Sequence, residues 1–110
     1  LAPRAAALGE ALRHVGAATR AAWCTGKPTD ALGNAVPYLQ AFGHTVLAWI
    51  WLDVALASRA QAGHAASAGH TGRLAAARYF FHFELPKIGA WLKVVESRDR
   101  TCADCPEEAF

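Results

Sequence analysis

The chain has 110 residues, of which 54% are hydrophobic and 18% charged, and its net charge is +2. This length suits one domain with a real core, and this composition excludes an intrinsically disordered chain. The 11 basic side chains are scattered among 9 acidic ones, so the sequence lacks the dense Lys/Arg face that nucleic-acid binding requires. Alanine, the best helix former, is abundant and β-branched residues are few, which predicts an all-α fold.

The first predicted helix runs from about residue 3 to residue 23. Its apolar positions recur at intervals of three and four residues, which is typical of an amphipathic helix. The predicted seam consists of Leu8, Leu12, Val15, Thr19 and Ala22. Residues 25–28 end the helix, because glycine suits a left-handed C-terminal position and proline cannot continue a helix. The chain opens with neither an initiator methionine nor a leader pattern, so we expect it to be a piece of a longer polypeptide.

The second predicted helix, residues 30–62, is the most apolar part of the chain. One stripe collects Tyr38, Leu39, Phe42, Val46, Trp49 and Leu56, and it is widened by Val36, Leu47, Ile50 and Val54. We therefore predict a central helix that its neighbours cover on most sides. Pro37 predicts a kink near residues 33–34, since proline removes a hydrogen bond of the preceding turn. The uninterrupted apolar run, residues 46–52, is much shorter than the roughly 20 residues that cross a membrane, which favours a soluble core helix.

The third predicted helix runs from about residue 73 to residue 97, after a glycine-rich loop at residues 63–72. Its predicted inner stripe consists of Leu74, Phe81, Leu85, Ile88, Leu92 and Val95. Pro86 predicts a second kink. The three helices predict an up-down-up three-helix bundle with long, proline-kinked second and third helices. The bundle and the polar tail, residues 98–110, form a single domain over residues 1–110.

Aromatic residues surround the third predicted helix at residues 79–83. The side chains of Tyr79, Phe80, Phe81 and Phe83 point in directions too varied for one small bundle to cover. Contiguous exposed apolar patches on monomers usually mark an interaction site. We therefore predict an interface formed by Tyr79, Phe80 and Phe83 with Trp51 nearby, and we expect the isolated chain to be at least a dimer.

Asp53 lies within the apolar stripe of the second predicted helix. One interpretation is an acid that contacts a ligand. The favoured interpretation is a buried ion pair with Arg78 or Arg13, because an unpaired buried charge is costly. His44 and His82 face away from the predicted seams and are expected at the surface or at a domain interface.

The cysteine pair Cys102 and Cys105 invites a metal-site interpretation that His64 and His70 would complete. Geometry argues against it, because the third helix would hold the two pairs roughly 35 Å apart. We predict no metal site. The odd number of cysteines, with Cys24 as the third, favours reduced thiols.

Several separated segments resemble the C-terminal helical extension found on certain acyl-CoA dehydrogenases, of the type found on 3-methylmercaptopropionyl-CoA-dehydrogenase-like enzymes. The resemblance covers roughly residues 30–110. Its segments, in chain order, are residues 34–39 (NAVPYL), 41–44 (AFGH), 48–52 (AWIWL), 72–81 (GRLAAARYFF), 84–86 (ELP), 101–102 (TC) and Phe110. The resemblance implies a non-catalytic C-terminal structural or docking domain of an oxidoreductase.

The implied host enzyme uses FAD to oxidise an acyl-CoA thioester at its α,β carbons. In that family a glutamate of the preceding helical domain takes the α-proton, and flavin N5 accepts the hydride. None of Glu10, Glu84, Glu96 and Glu107 matches that base, so the resemblance places no catalytic and no cofactor-binding residue in this chain. It implies upstream domains of the same enzyme, a homo-oligomer and a cytoplasmic location, with no membrane partner. The alternative is a free-standing helical protein-interaction module, which a long upstream reading frame would exclude.

Overall fold

The computed structural model describes residues 1–61 and 68–109, and every regular element in these segments is helical. The α-helices are α1 (Ala2–Ala22), α2 (Pro28–Leu32), α3 (Ala35–Gln61), α4 (Ala68–Tyr79) and α5 (Ile88–Ser97). A π-helical turn (Phe80–Glu84) and a 3₁₀ turn (Leu85–Lys87) join α4 to α5, and a second 3₁₀ turn (Glu107–Ala109) lies near the end. The all-α prediction is confirmed. The second and third predicted helices are each divided.

The second predicted helix is interrupted at Gly33 and Asn34, so that α2 and α3 are separate helices. Pro28 is the first residue of α2. Proline lacks a backbone N–H, but at this position that N–H would have no acceptor within the helix, so nothing is lost. At the interruption, the Asn34 side-chain amide donates to the Asp99 carbonyl at 2.9 Å. The joint between α2 and α3 therefore also anchors the segment that follows α5.

The helix α4 begins at Ala68, inside the predicted loop, and residues 62–67 lie outside the described residues. Its first turns are held against the end of α3. A ring nitrogen of His70 lies 2.6 Å from the Ser58 hydroxyl, and Arg73 Nε donates to the same oxygen at 3.2 Å. The first turns of α4 are therefore helical and contact α3, although the glycines of this segment would by themselves favour a loop.

The link between α4 and α5 changes the winding of the helix. The Leu85 amide donates to the Phe80 carbonyl, five residues back, which is the π-helical pattern. Pro86 has no amide hydrogen with which to continue an α-helical ladder. The 3₁₀ turn that contains Pro86 then leads into α5.

The core lies where α1, α3, α4 and α5 meet, and small side chains dominate it. Eight of its buried residues are alanines: Ala11, Ala18, Ala22, Ala31, Ala41, Ala48, Ala55 and Ala77. The largest fully buried side chains of the described residues are Leu92 and Val95, both on α5. Small residues at helix contacts let the backbones approach closely, so this core is compact but encloses few large side chains.

The predicted inner stripe of the third helix is largely confirmed. Its four residues after the π turn are buried, and Phe81 packs against them half-buried. In α1, Val15 and Ala22 are buried as predicted. Leu12 is 58% exposed, so its predicted place in the seam is wrong. Ala11 and Ala18 occupy that contact instead, because α1 also uses alanines for its closest approach.

The molecule is flat and elongated. The described residues extend over 63 × 29 × 16 Å, and their radius of gyration is 18.0 Å. A compact domain of this length has a radius of gyration of about 13 Å. Among the described residues, one side of α3 has no neighbour in a body this thin, and the prediction that α3 is covered on most sides is wrong.

Candidate interaction surface

Two different stripes run along α3, and the core uses the one made of small residues. The buried positions recur every three or four residues: Ala41, Thr45, Ala48, Leu52, Ala55 and Ser58. Thr45 satisfies its hydroxyl within the helix by donating to the Ala41 carbonyl at 2.9 Å. This stripe lets α1, α4 and α5 lie close to α3. The regular spacing of these residues is visible in the sequence. It was missed because small side chains contribute little to a hydrophobic pattern.

The opposite side of α3, named here the outer α3 face, is apolar and exposed. Its side chains are between 36% and 69% exposed: Val36, Leu39, Phe42, Val46, Leu47, Trp49, Ile50 and Leu56. Most of the stripe predicted to be buried is therefore at the surface. Tyr38 and Val54 of that stripe are half-buried, and the Tyr38 hydroxyl lies 2.9 Å from the Thr19 hydroxyl. The prediction correctly placed the large residues on one side of the helix, but that side faces outward and not toward the core.

The predicted buried ion pair of Asp53 is wrong. Asp53 is exposed, and so are Arg13 and Arg78. Among the described residues, Asp53 takes part in no ion pair, and Arg13 pairs with Glu10 on its own helix. The reason is the phase of α3, because Asp53 shares the stripe of large residues and that stripe faces outward.

A second exposed patch lies at the end of α4. Tyr79 is 55% exposed and Phe83 58% exposed, and their rings stack at 5.0 Å. With Arg78 and His82 they line a shallow cavity of about 380 Å³. We name these two aromatic residues the Tyr79–Phe83 patch. They and His82 point away from the core, as the sequence predicted.

The other two predicted interface residues are not part of that patch. Phe80 is 8% exposed and belongs to the core, because it lies three residues after the buried Ala77, on the same side of the helix. Trp51 is half-buried and packs against the core. His44 also lies inward of its predicted surface position, with its ring 5.5 Å from that of Phe80 and 4.8 Å from that of Trp91.

An open groove of about 720 Å³ separates α1 from the start of α5. Alanines of α1 and the side chains of Phe81 and Leu85 form much of its lining. Its polar residues already have protein partners: Glu10 bonds Arg13, and His14 lies 2.9 Å from Glu96. The groove therefore offers no free carboxylate base beside a cleft.

The segment after α5 is held against the C-terminal end of α1 and against α2 by charged contacts. Arg98 donates to the Ala21 carbonyl at the end of α1 at 3.0 Å, where a cation suits the helix dipole. Arg100 bonds Asp30 at 2.8 Å and also pairs with Asp104. The hydroxyl of Thr25, 2.7 Å away, and the positive charge of Arg100 lower the pKa of the Asp30 carboxyl below 3.8. These contacts are structural.

The three cysteines, Cys24, Cys102 and Cys105, are exposed free thiols. Within residues 1–61 and 68–109, no three His, Cys, Asp or Glu side chains are grouped as metal ligands. His64, which the metal hypothesis used, lies outside the described residues, as does Phe110.

One helix in the described part of the chain, residues 35–60, is long and apolar enough to cross a membrane. Its most apolar window has a mean hydropathy of 1.3, and 33% of that window is buried in the protein. Length and composition alone are weak evidence for a membrane-spanning helix, because core helices of soluble proteins meet the same criteria.

The comparison with known families identifies the chain. A family profile described as acetyl-CoA dehydrogenase C-terminal like matches residues 1–106. The chain belongs to that family. The match covers nearly the whole chain, including α1, which the resemblance in the sequence had left out. No curated protein and no solved structure gives a significant match. Membership of the acetyl-CoA dehydrogenase C-terminal-like family thus rests on the profile and on the all-helical fold.

Proposed function

We propose that this chain is the C-terminal structural and docking domain of an FAD-dependent acyl-CoA dehydrogenase. The observation that carries the proposal is the family match over residues 1–106, in a chain whose described residues expose two apolar surfaces. The whole enzyme would oxidise an acyl-CoA thioester at its α,β carbons. This chain would contribute surfaces for assembly.

The described residues do not fit an FAD site. The groove between α1 and the start of α5 is open and mostly apolar, and its Glu10, Arg13 and His14 side chains are engaged with protein partners. A flavin dinucleotide needs backbone or basic groups for its diphosphate, usually at a glycine-rich turn that opens a helix. Flavin, which accepts the hydride in such enzymes, would bind in the upstream domains.

The Tyr79–Phe83 patch supports the docking part of the proposal. Two stacked aromatic rings beside Arg78 and His82 give an apolar surface with polar edges, as protein interfaces commonly have. We propose that this patch meets the upstream domains of the same enzyme or a second subunit. The exposed free thiols of the chain support a reducing, cytoplasmic location.

The test compares the 110-residue chain with the full-length natural protein. We expect the full-length protein to show a flavin absorption spectrum and to reduce a dye in the presence of an acyl-CoA. The isolated chain should be colourless and inactive. A full-length protein without flavin, or flavin bound stoichiometrically by the isolated chain, would contradict the proposal.

A further inference from the structure

We infer that the outer α3 face binds the same face of a second copy of this chain, with the two α3 helices antiparallel and centred on Val46. The inference deepens the proposed docking role and rests on it. It does not require any particular substrate or cofactor. Three observations support a second copy as the occupant: the area of the face, the position of Gly43 and the position of Asp53.

The area of the outer α3 face is that of a stable interface. Its eight side chains, three of them 60% exposed or more, together expose on the order of 800 Å² of apolar surface. A standard protein–protein interface buries about 800 Å² on each partner. Side chains of this size usually supply most of a core, yet here they lie outside a core that is rich in alanine. A flat molecule that presents such a face is well suited to pair with an identical one.

Gly43 gives the face a shape that complements itself. A methyl group built at Gly43 meets no described atom within 4 Å, so nothing in the described fold requires glycine there. In an antiparallel pair centred on Val46, Gly43 lies opposite Ile50 of the second copy. Phe42 lies opposite Trp49 of the second copy. The glycine makes room for a large side chain, and the two aromatic residues form a cross-helix pair.

Asp53 selects the antiparallel arrangement. A parallel pair would bring the two Asp53 carboxylates together in an apolar contact, at a substantial electrostatic cost. The antiparallel pair holds them roughly 20 Å apart, given the rise of an α-helix. Each carboxylate then lies opposite Leu39 of the second copy and not beside a second carboxylate.

The same residues argue against a lipid surface as the occupant. Asp53 lies in the middle of the apolar side, where contact with acyl chains is unfavourable. Residues 35–58 contain no lysine and no arginine. Helices that lie on membranes usually carry several of them along their polar face.

Site-specific cross-linking in the full-length protein tests the inference without reference to flavin or turnover. In a background with the native cysteines changed to serine, Val46→Cys places one thiol at the proposed two-fold axis. We expect mild oxidation to give a covalent dimer on a non-reducing gel. The matched control is Gln40→Cys, an exposed position on the same helix about 120° around it from Val46, which should stay monomeric on the gel.

A second variant fills the proposed gap. Gly43→Leu adds a side chain whose Cβ meets no described atom within 4 Å, so folding should be retained. Cross-linking of Val46→Cys in this variant should fall about tenfold or more, because the added side chain clashes with Ile50 of the second copy. The circular dichroism spectrum should remain helical.

Three results would overturn the inference. Equal cross-linking of the Val46→Cys and Gln40→Cys variants would indicate random collisions. A Val46→Cys thiol that resists both a maleimide and cross-linking would show that another part of the same polypeptide covers the face. A thiol that reacts freely with maleimide until phosphatidylcholine/phosphatidylglycerol vesicles are added would assign the face to a membrane. Each of these results would leave the dehydrogenase proposal to be judged by its own flavin test.

Discussion

The helices α3 and α5 are both strongly apolar, yet they use their large side chains in opposite ways. α5 turns Ile88, Leu92 and Val95 into the core, and Leu92 and Val95 are fully buried there. α3 turns Ala41, Ala48 and Ala55 inward and leaves Trp49 and Leu39 at the surface. Both helices obey the same spacing rule. A hydrophobic stripe therefore identifies which residues share a face, but it does not identify what covers that face.

The largest expected effect comes from the α5 side of this comparison. Leu92→Ala should lower the free energy of unfolding by about 2–5 kcal/mol, because it leaves a cavity at a fully buried site. Chemical denaturation of the 110-residue chain provides the measurement. Val94→Ala is the matched control on the same helix, since Val94 is 40% exposed and should cost under about 1 kcal/mol. Equal losses for the two variants would mean that the phase of α5 is wrong.

The inner stripe of α3 should resist enlargement. Ala48→Leu forces a large side chain into a fully buried position and should cost about 1–3 kcal/mol. Ala57→Leu, on the exposed side of the same helix, should change stability by less than about 0.5 kcal/mol. The difference between their denaturation midpoints measures how closely the helices pack. A tolerated Ala48→Leu would show that the small stripe is not the contact.

Gly43 sharpens the comparison, because its two expected effects have opposite signs. Gly43→Ala should stabilise the single chain by about 0.5–1 kcal/mol, since alanine is a better helix former and meets no neighbour there. The same change should weaken association of the full-length protein through the outer α3 face. Denaturation at low micromolar concentration and sedimentation across a concentration series separate the two effects. If the variant is more stable but associates as strongly as before, Gly43 does not make room for a side chain of the second copy.

The smallest expected effect concerns the polar contacts of Asp30, which belong neither to the buried face of α5 nor to the outer α3 face. Because the folded state lowers the pKa of Asp30, its carboxylate adds stability above its ordinary pKa of 3.8. That contribution is lost as the pH falls below 3.8 through the folded-state pKa. Denaturation at about pH 6 and about pH 3 should show a larger loss for the natural chain than for Asp30→Asn. Identical losses would indicate that Asp30 titrates as in the unfolded chain.

The sequence allowed the helical class and the buried face of α5 to be predicted, because α5 has a single strong stripe. It did not allow the direction of α3 to be predicted, because α3 carries two stripes and the small one is the contact. The misplacement of Asp53 follows from that one error. The early start of α4 depends on contacts between His70, Arg73 and Ser58, which join residues distant in sequence. The Tyr79–Phe83 patch was predictable because no single core face can use every aromatic of residues 79–83.

The two irregular turns before α5 have opposite effects on helical rotation. An α-helix advances about 100° per residue, a π turn less, and a 3₁₀ turn about 120°. Phe80–Glu84 therefore underwinds the chain, and Leu85–Lys87 overwinds it again. The two errors in rotation largely cancel, so Ala77 and Ile88 can face the same core across an irregular backbone. The spacing of buried residues expected for an ideal α-helix therefore still holds across residues 80–87. The backbone hydrogen bonds there do not follow the α-helical pattern.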